Sequence, residues 1–364
     1  SQKTGATISF TTENVLDEQD RVFATIDPLS HRRDVFFDSR SNPTGMRDAL
    51  GNTSRSVFDG LSRTTSREMD LRAGGIGTGS VQDLITLAND WDANSRLKEQ
   101  RDDNQNPTKT GFDALDRAEK KVTADGLCTD NDFSPTGVAL KVTDSNGTVV
   151  EVTGIDALDR VTERTIHRAG GVGGTTFEKF KWDGLTRQVF AENDLYIVET
   201  ASDSLSRVIE EKLTVKATGQ VYSTKTETDG VGNVKAKTYP NQRRITQDFN
   251  VIDQMTAIRE NGGAQIAGYK YVGSSRVEER TSGNAVMLTV EYDGGRRAER
   301  LLHQGPAGLV ADFRYGFDAE DNRIFEQRMH EGGSGDRYGH DSIYRLIGAD
   351  LDQPDPVNGL VVLA

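Results

Sequence analysis

The sequence predicts an all-β fold, an array of about fifteen β-hairpins joined edge to edge. Three observations predict it. A six-residue motif recurs along the chain, its copies fall 20–22 residues apart over long stretches, and the segments between copies alternate apolar and polar residues. Internal repeats of this length mark arrays in which each unit is completed by its neighbours.

The motif is clearest in FDALDR at residues 112–117, IDALDR at 155–160, FDGLSR at 58–63, WDGLTR at 182–187 and SDSLSR at 202–207. Looser copies are LDEQDR at 16–21, WDANSR at 91–96, YDGGRR at 292–297 and HDSIYR at 340–345. The paired positions are Asp17/Arg21, Asp59/Arg63, Asp92/Arg96, Asp113/Arg117, Asp156/Arg160, Asp183/Arg187, Asp203/Arg207, Asp293/Arg297 and Asp341/Arg345. Asp followed four residues later by Arg thus occurs nine times, where 36 Asp and 30 Arg in 364 positions give roughly three by chance. Degenerate copies stand at Asp38, Asp229, Asn250, Val272 and Asp318. Two matching glycine-rich inserts, RAGGIGTG at 72–79 and RAGGVGG at 168–174, lengthen the spacing and read as long hairpin loops. They superpose a second repeat of roughly 90–97 residues on the short one.

Between motifs, Val286, Leu288, Val290 and Tyr292 alternate with Met287, Thr289 and Glu291, and Leu213, Val215 and Ala217 alternate with Thr214 and Lys216. Period two with β-branched enrichment is a half-buried strand. The motif supplies the turn, and the glycines of Asp59-Gly60, Asp183-Gly184 and Asp293-Gly294 are expected to take the positive φ. No amphipathic helix is expected. Equivalent side chains of successive hairpins should stack, which predicts an aromatic ladder of Phe58, Trp91, Phe112, Trp182, Tyr292 and Phe317. Like charges would repel along such a ladder unless each Arg reaches an Asp of its own or the next unit.

Composition agrees with a thin core. Leu, Ile, Val and Phe make up about 23% of the chain, barely enough for burial, while 37 Gly and 8 Pro give frequent turns without a proline-rich linker. The net charge of −13, with acidic and basic residues interleaved, argues against nucleic acid and anionic membranes as partners. No apolar run is long enough for a membrane span, so no membrane insertion is expected. Cys128 is the only cysteine, which excludes an intrachain disulfide and leaves the redox compartment open. The first residues carry neither Met nor an apolar signal core, and the chain reads as a processed product or a segment of something longer.

The units resemble the YD repeats of the Rhs family: an aromatic followed by Asp, a small turn residue, then Arg or Asn and a hydrophobic residue opening the next strand. FDALDRAEKKVTADG at 112–126 is similar to one complete unit and residues 229–263 to two joined units, while residues 313–350 resemble the last repeats of bacterial members. The resemblance covers residues 15–350, leaving 1–14 and 351–364 as terminal segments. It implies a ribbon of hairpins spiralling into a hollow shell or tube. In toxin relatives such shells enclose an unfolded or toxic cargo, and in teneurins they belong to a cell-surface adhesion molecule. Cargo-releasing members carry a DPxGxxD self-cleavage segment; Asp355-Pro356-Val357-Asn358-Gly359-Leu360 echoes it with the wrong spacing, so cargo release is not assigned to this chain. A β-propeller, whose blades match two units in length, and a β-helix are the alternative folds.

Chemistry is sparse. Asp102-Asp103, Glu210-Glu211 and Glu278-Glu279 read as solvated edges rather than acid/base pairs. Asp130, Asp132 and Ser134 begin like a calcium loop, but Pro135 and Lys141 stand where Gly and a carboxylate are required. An irregular calcium site at Asp318, Glu320, Asp321 and Asn322 is the one cofactor expectation. The five histidines lack metal-ligand spacing, and no nucleophile elbow or phosphate loop is present. The sequence therefore points to a non-enzymatic, extracellular or cell-surface structural protein, a shell, tube or fibre scaffold. Alternatives are the encapsulating portion of an Rhs-type polymorphic toxin and a carbohydrate-binding adhesin using Trp91 and Trp182. Expected partners are other copies of the chain or further repeats of a longer one, with glycans or an enclosed polypeptide as further candidates. Neither 1–10 nor 351–364 reads as a cap, although Leu360 to Ala364 (LVVLA) is apolar enough to add a strand.

Overall fold

The computed structural model describes residues 10–72, 74–77 and 79–358, so the strand expected at 360–364 and most of the first ten residues lie outside the described residues. Among the described residues thirty strands run from Glu13–Leu16 to Leu346–Gln353, with one short 3₁₀ turn at Met329–Glu331. At two strands per unit this is the expected count of about fifteen hairpins. Successive strands pair antiparallel in chain order, as in Arg32–Phe37 with Pro43–Arg47 and Cys128–Phe133 with Ala139–Thr143. The sequential antiparallel pairing excludes a parallel β-helix. A propeller is excluded because the pairing continues unbroken from Pro107–Phe112 through to Met255–Glu260, where separate blades would interrupt it.

The described residues fall into two units. One takes in those of Ser1–Trp91, Arg101–Gln105 and Ala267–Ala364, and the other those of Asp92–Gln100 and Asn106–Ile266. In both, turns alternate between two edges. One edge carries the motif turns, as at Asp17, Asp38 and Asp59; the other carries turns such as those at Asp27 and Asp48. The 21-residue period is therefore the repeat along one edge, and from Asp17 to Asp59 successive turns come every ten or eleven residues.

Motif turns share one geometry. The amide of the first residue donates to the carbonyl of the fifth, as from Asp17 to Arg21 at 2.9 Å and from Asp113 to Arg117 at 3.0 Å. The fourth residue is left-handed, with φ of 59° at Asp20, 60° at Ser62 and 62° at Asp116. This is a type I turn closed by a bulge, and the register shifts beside it, between Val57 and Phe58 or Glu291 and Tyr292. Pairs joined at the other edge, such as Thr25 with Arg33 and Lys237 with Ile245, run without a shift. The positive φ expected at Gly60 and Gly294 thus falls two residues later, at Ser62 and at Arg296 (72°). Only Gly184 takes it as expected, at 59°, in a tighter turn that pairs Asp183 directly with Arg187.

The core is as thin as the composition implies. Buried hydrophobic side chains are Ala24, Ala236, Ala257, Ala267 and Val290, and the buried polar ones include Asp34, Asp70, Asp312 and Asp341. Each of these acids is paired: Asp34 with Arg32 and Arg47, Asp70 with Arg55 and Arg72, Asp312 with Arg300, and Asp341 with Arg345. Two charges held in good geometry with further hydrogen bonds offset their desolvation, whereas one left alone does not.

Close strand approach fixes some glycines without a turn. A Cβ at Gly335 would land on the Glu326 carbonyl oxygen of the neighbouring strand. Gly335→Ala is expected to destabilise the protein by about 2 kcal/mol or more, read as a lower urea midpoint with an unchanged m-value; an unaltered midpoint would contradict the strand spacing.

Candidate functional site

The recurring constellation is a clasp built on each motif turn. The Asp carboxylate faces inward over the turn because its backbone opens the loop. At Asp113 one oxygen accepts the amides of Leu115 (2.8 Å) and Arg117 (3.0 Å), and the other accepts Arg117 Nε at 2.6 Å. Asp17/Arg21, Asp59/Arg63, Asp92/Arg96, Asp156/Arg160, Asp203/Arg207, Asp293/Arg297 and Asp341/Arg345 repeat the same contacts, with Nε to carboxylate distances of 2.6–2.7 Å. Asp183 and Arg187 also pair, but in the tighter turn the Asp183 side chain is 58% exposed. All nine sequence-defined pairs are therefore brought together, eight of them in one geometry.

The arginine also reaches the next hairpin. Nη1 of Arg117 donates to the Ser134 carbonyl at 2.6 Å, that of Arg207 to Asp229 at 2.7 Å and that of Arg297 to Asp318 at 2.8 Å. The guanidinium lies over the aromatic ring that opens the next motif turn: Arg21 over Phe37, Arg96 over Phe112, Arg117 over Phe133 and Arg297 over Phe317, at 4.6–4.9 Å from the ring centre. The expected aromatic ladder is thus not a stack of rings. Guanidinium and ring alternate, and the ring pairs found among the described residues lie elsewhere, at Tyr269/Tyr271 and Phe313/His330. A cation over a ring face is attracted by its quadrupole, and the carboxylate completes the charge balance.

This arrangement also corrects the reading of Trp91 and Trp182 as exposed platforms. Both are half-buried under Arg63 and Arg160, and their indole N–H groups donate to the carbonyls of Thr64 and Val161 at 2.9 Å.

Sequence reading missed some clasps because it required arginine. Asp27 binds the amides of Leu29 and His31 and the His31 ring, and Asp48 binds the amides of Leu50 and Asn52. Asn42, Asn233 and Asn322 replace Arg at the degenerate Asp38, Asp229 and Asp318 turns. A search for Asp with any side-chain donor four residues on, at ten- or eleven-residue spacing, would have found Asp27 and Asp48.

Within the first unit, early and late turns meet. Glu320 accepts the Ala49 amide at 2.7 Å and Arg33 Nε at 3.0 Å, Ser342 Oγ donates to the Asp70 carbonyl and accepts the Arg72 amide, both at 2.7 Å, and Tyr344 bonds Asp48. The first glycine-rich insert joins this seam, with Gly77 N–H donating to the Leu50 carbonyl at 3.0 Å. A cavity of about 380 Å³ opens beside it, walled by Met46, Met69 and Ile343. The acidic residues expected to gather round calcium diverge instead. Asp318 holds its own turn through Asn322, Glu320 takes Arg33, and Asp321 takes Arg297. Among the described residues no three acidic, His or Cys side chains are placed to hold a metal. Cys128 Sγ lies 3.5 Å from Asp130, and its burial first, then that carboxylate, push the thiol pKa up.

In seven of the motif clasps the carboxylate pKa is lowered. The Arg side chain is the largest cause at Asp17, Asp156 and Asp203, and the Arg backbone amide at Asp59, Asp92 and Asp113. At Asp341 burial acts upward, but the bonds from Arg345 outweigh it.

No family model and no curated protein matches the sequence. Solved structures do. The Photorhabdus luminescens Tc holotoxin pore carrying the TccC3-D651A mutation superposes with a TM-score of 0.79 at 16% identity, over 93% of this chain and 19% of that one. The TcdB2-TccC3-Cdc42 crystal structure gives 0.81 at 14% identity, over 93% and 19%, and TcdB2-TccC3 gives 0.80 at 15%, over 93% and 20%. The chain spans about a fifth of the length of these proteins and shares their fold. The hairpin-array class and the Rhs-type resemblance read from the motifs agree with this likeness.

Since these carboxylates titrate below the ordinary 3.8 in the folded chain, their stabilising contribution is complete above that value and is lost as pH falls through the lowered ones. The urea midpoint is expected to fall as pH drops from about 5 to about 3; a midpoint that stays level or rises would contradict the clasp.

Proposed function

We propose that the chain is a non-enzymatic scaffold, a wall segment of a YD-repeat shell in an extracellular or cell-surface protein. The observation that carries this reading is the use of the motif's chemistry. Its carboxylates are consumed by turn amides and arginines, and its guanidinia by neighbouring carbonyls and rings, which leaves the most repeated polar groups joining hairpins. The likeness to toxin-complex structures over nearly the whole chain supports the same reading.

A second reading is favoured by one observation. The similar structures are toxin assemblies of which this chain spans a fifth, which supports a role as part of an encapsulating cocoon around a polypeptide. The adhesin reading loses support, because Arg63 and Arg160 lie over the half-buried indoles that were to stack on a glycan. Electron cryomicroscopy of the chain within its parent protein is expected to show hairpin walls around a lumen. Density for an enclosed polypeptide would select the cocoon. A solid particle or an open flat sheet would contradict the shell.

A further inference from the structure

In the first unit, three hairpin tips pack through one position, the second residue after the turn Asp, although Leu61 at the same position after Asp59 is exposed. Leu29, two residues after Asp27, rests on Gly294 and Gly295, where a Cβ would come within 2.8 and 2.9 Å of its methyls. Glu320, two after Asp318, takes the Ala49 amide, and Ile343, two after Asp341, faces the cavity walled by Met46 and Met69. Leu29 and Ile343 are half-buried in consequence.

In the second unit, the same position on the motif edge carries Leu115, Leu158, Leu185, Leu205, Val231 and Ile252, exposed by 63, 54, 76, 65, 75 and 62%. Motif turns recur every second strand, so the tips from Leu158 to Ile252 stand roughly 10 Å apart in a row, with Thr136 of the Ser134 turn between them and Leu115. One exposed aliphatic side chain is ordinary; a contiguous row along an edge marks a contact surface. Turns of the opposite edge of this unit carry Gly126, Gly219 and Gly262, each with no atom within 4 Å of a would-be Cβ. They offer the kind of seat that Gly294 and Gly295 give Leu29.

We propose that the aliphatic row of the second unit docks on the glycine-bearing edge of a second copy of this chain, a contact between molecules of the kind Leu29 makes on Gly294 and Gly295 within one, with the two edges exchanged. The inference rests on the scaffold reading and names its partner. Because unlike edges meet, the contact is heterologous and each docked copy leaves a free edge for another.

Sedimentation equilibrium tests it on the full chain and on a variant carrying Leu115→Gln, Leu158→Gln, Leu185→Gln and Leu205→Gln. Gln19 occupies the same turn position at Asp17, so the turn accepts this side chain. The wild-type mass is expected to rise with concentration from 39.9 kDa to at least twice that, and further in sodium sulfate, while the variant stays at 39.9 kDa with an unchanged melting temperature. A monomeric wild type, equal association of the variant, or association that weakens in sulfate would overturn the proposal. A lumen seen in the parent protein would leave the scaffold reading standing in that case, so the two failures are distinguishable. If the variant fails to fold, the sulfate response of the wild type decides alone.

Discussion

Each motif arginine has five N–H donors and two planar faces, and the array uses both kinds of surface at once. Two nitrogens grip the carboxylate that opens its own turn, a third reaches a carbonyl of the next hairpin, and the plane covers the aromatic ring there, as Arg117 does between Asp113, Ser134 and Phe133. Lysine could supply the charge but neither the fork nor the plane. A hairpin alone is marginal in water. The guanidinium ties the edge of each hairpin to its successor where strand pairing ends.

This division of labour explains why so little hydrophobic residue suffices. The few buried apolar side chains are mostly alanines, and buried aspartates flanked by arginines occupy positions a sandwich would fill with Leu or Val. Paired charges stabilise less per residue than packed hydrocarbon. They also make the array depend on every partner being present, and they tie its stability to the ionisation of its carboxylates. Bulges confined largely to the motif edge add local twist on that side at each repeat.

The fold was legible because its constraint is periodic. Alternation placed strands such as Met287–Tyr292, and Asp with Arg four residues on placed the motif turns. What the sequence concealed was which atom satisfies which. Gly60 and Gly294 look like the residues that turn the chain, yet the left-handed position belongs to Ser62 and Arg296, since the turn type is set by hydrogen bonds between Asp59 and Arg63 and between Asp293 and Arg297. Regular aromatics suggested a ring stack, but at Trp91, Phe112, Trp182 and Phe317 the arginine of the preceding motif takes the ring face and brings its own counterion. Glu320 looked like part of a cation site until a partner 287 positions away, Arg33, claimed it. Contacts at that separation leave no mark on a local repeat.

The direct test of the clasp is a double-mutant cycle between Arg117 and Phe133, with Arg117→Gln and Phe133→Leu measured singly and together by urea unfolding. The loss of the bonds from Arg117 to Asp113 is the same in both Phe133 backgrounds and cancels, leaving the contact between hairpins. A favourable coupling of about 0.5–1 kcal/mol is expected. Strictly additive effects would show that guanidinium and ring are merely neighbours, and would contradict the claim that this contact joins one hairpin to the next.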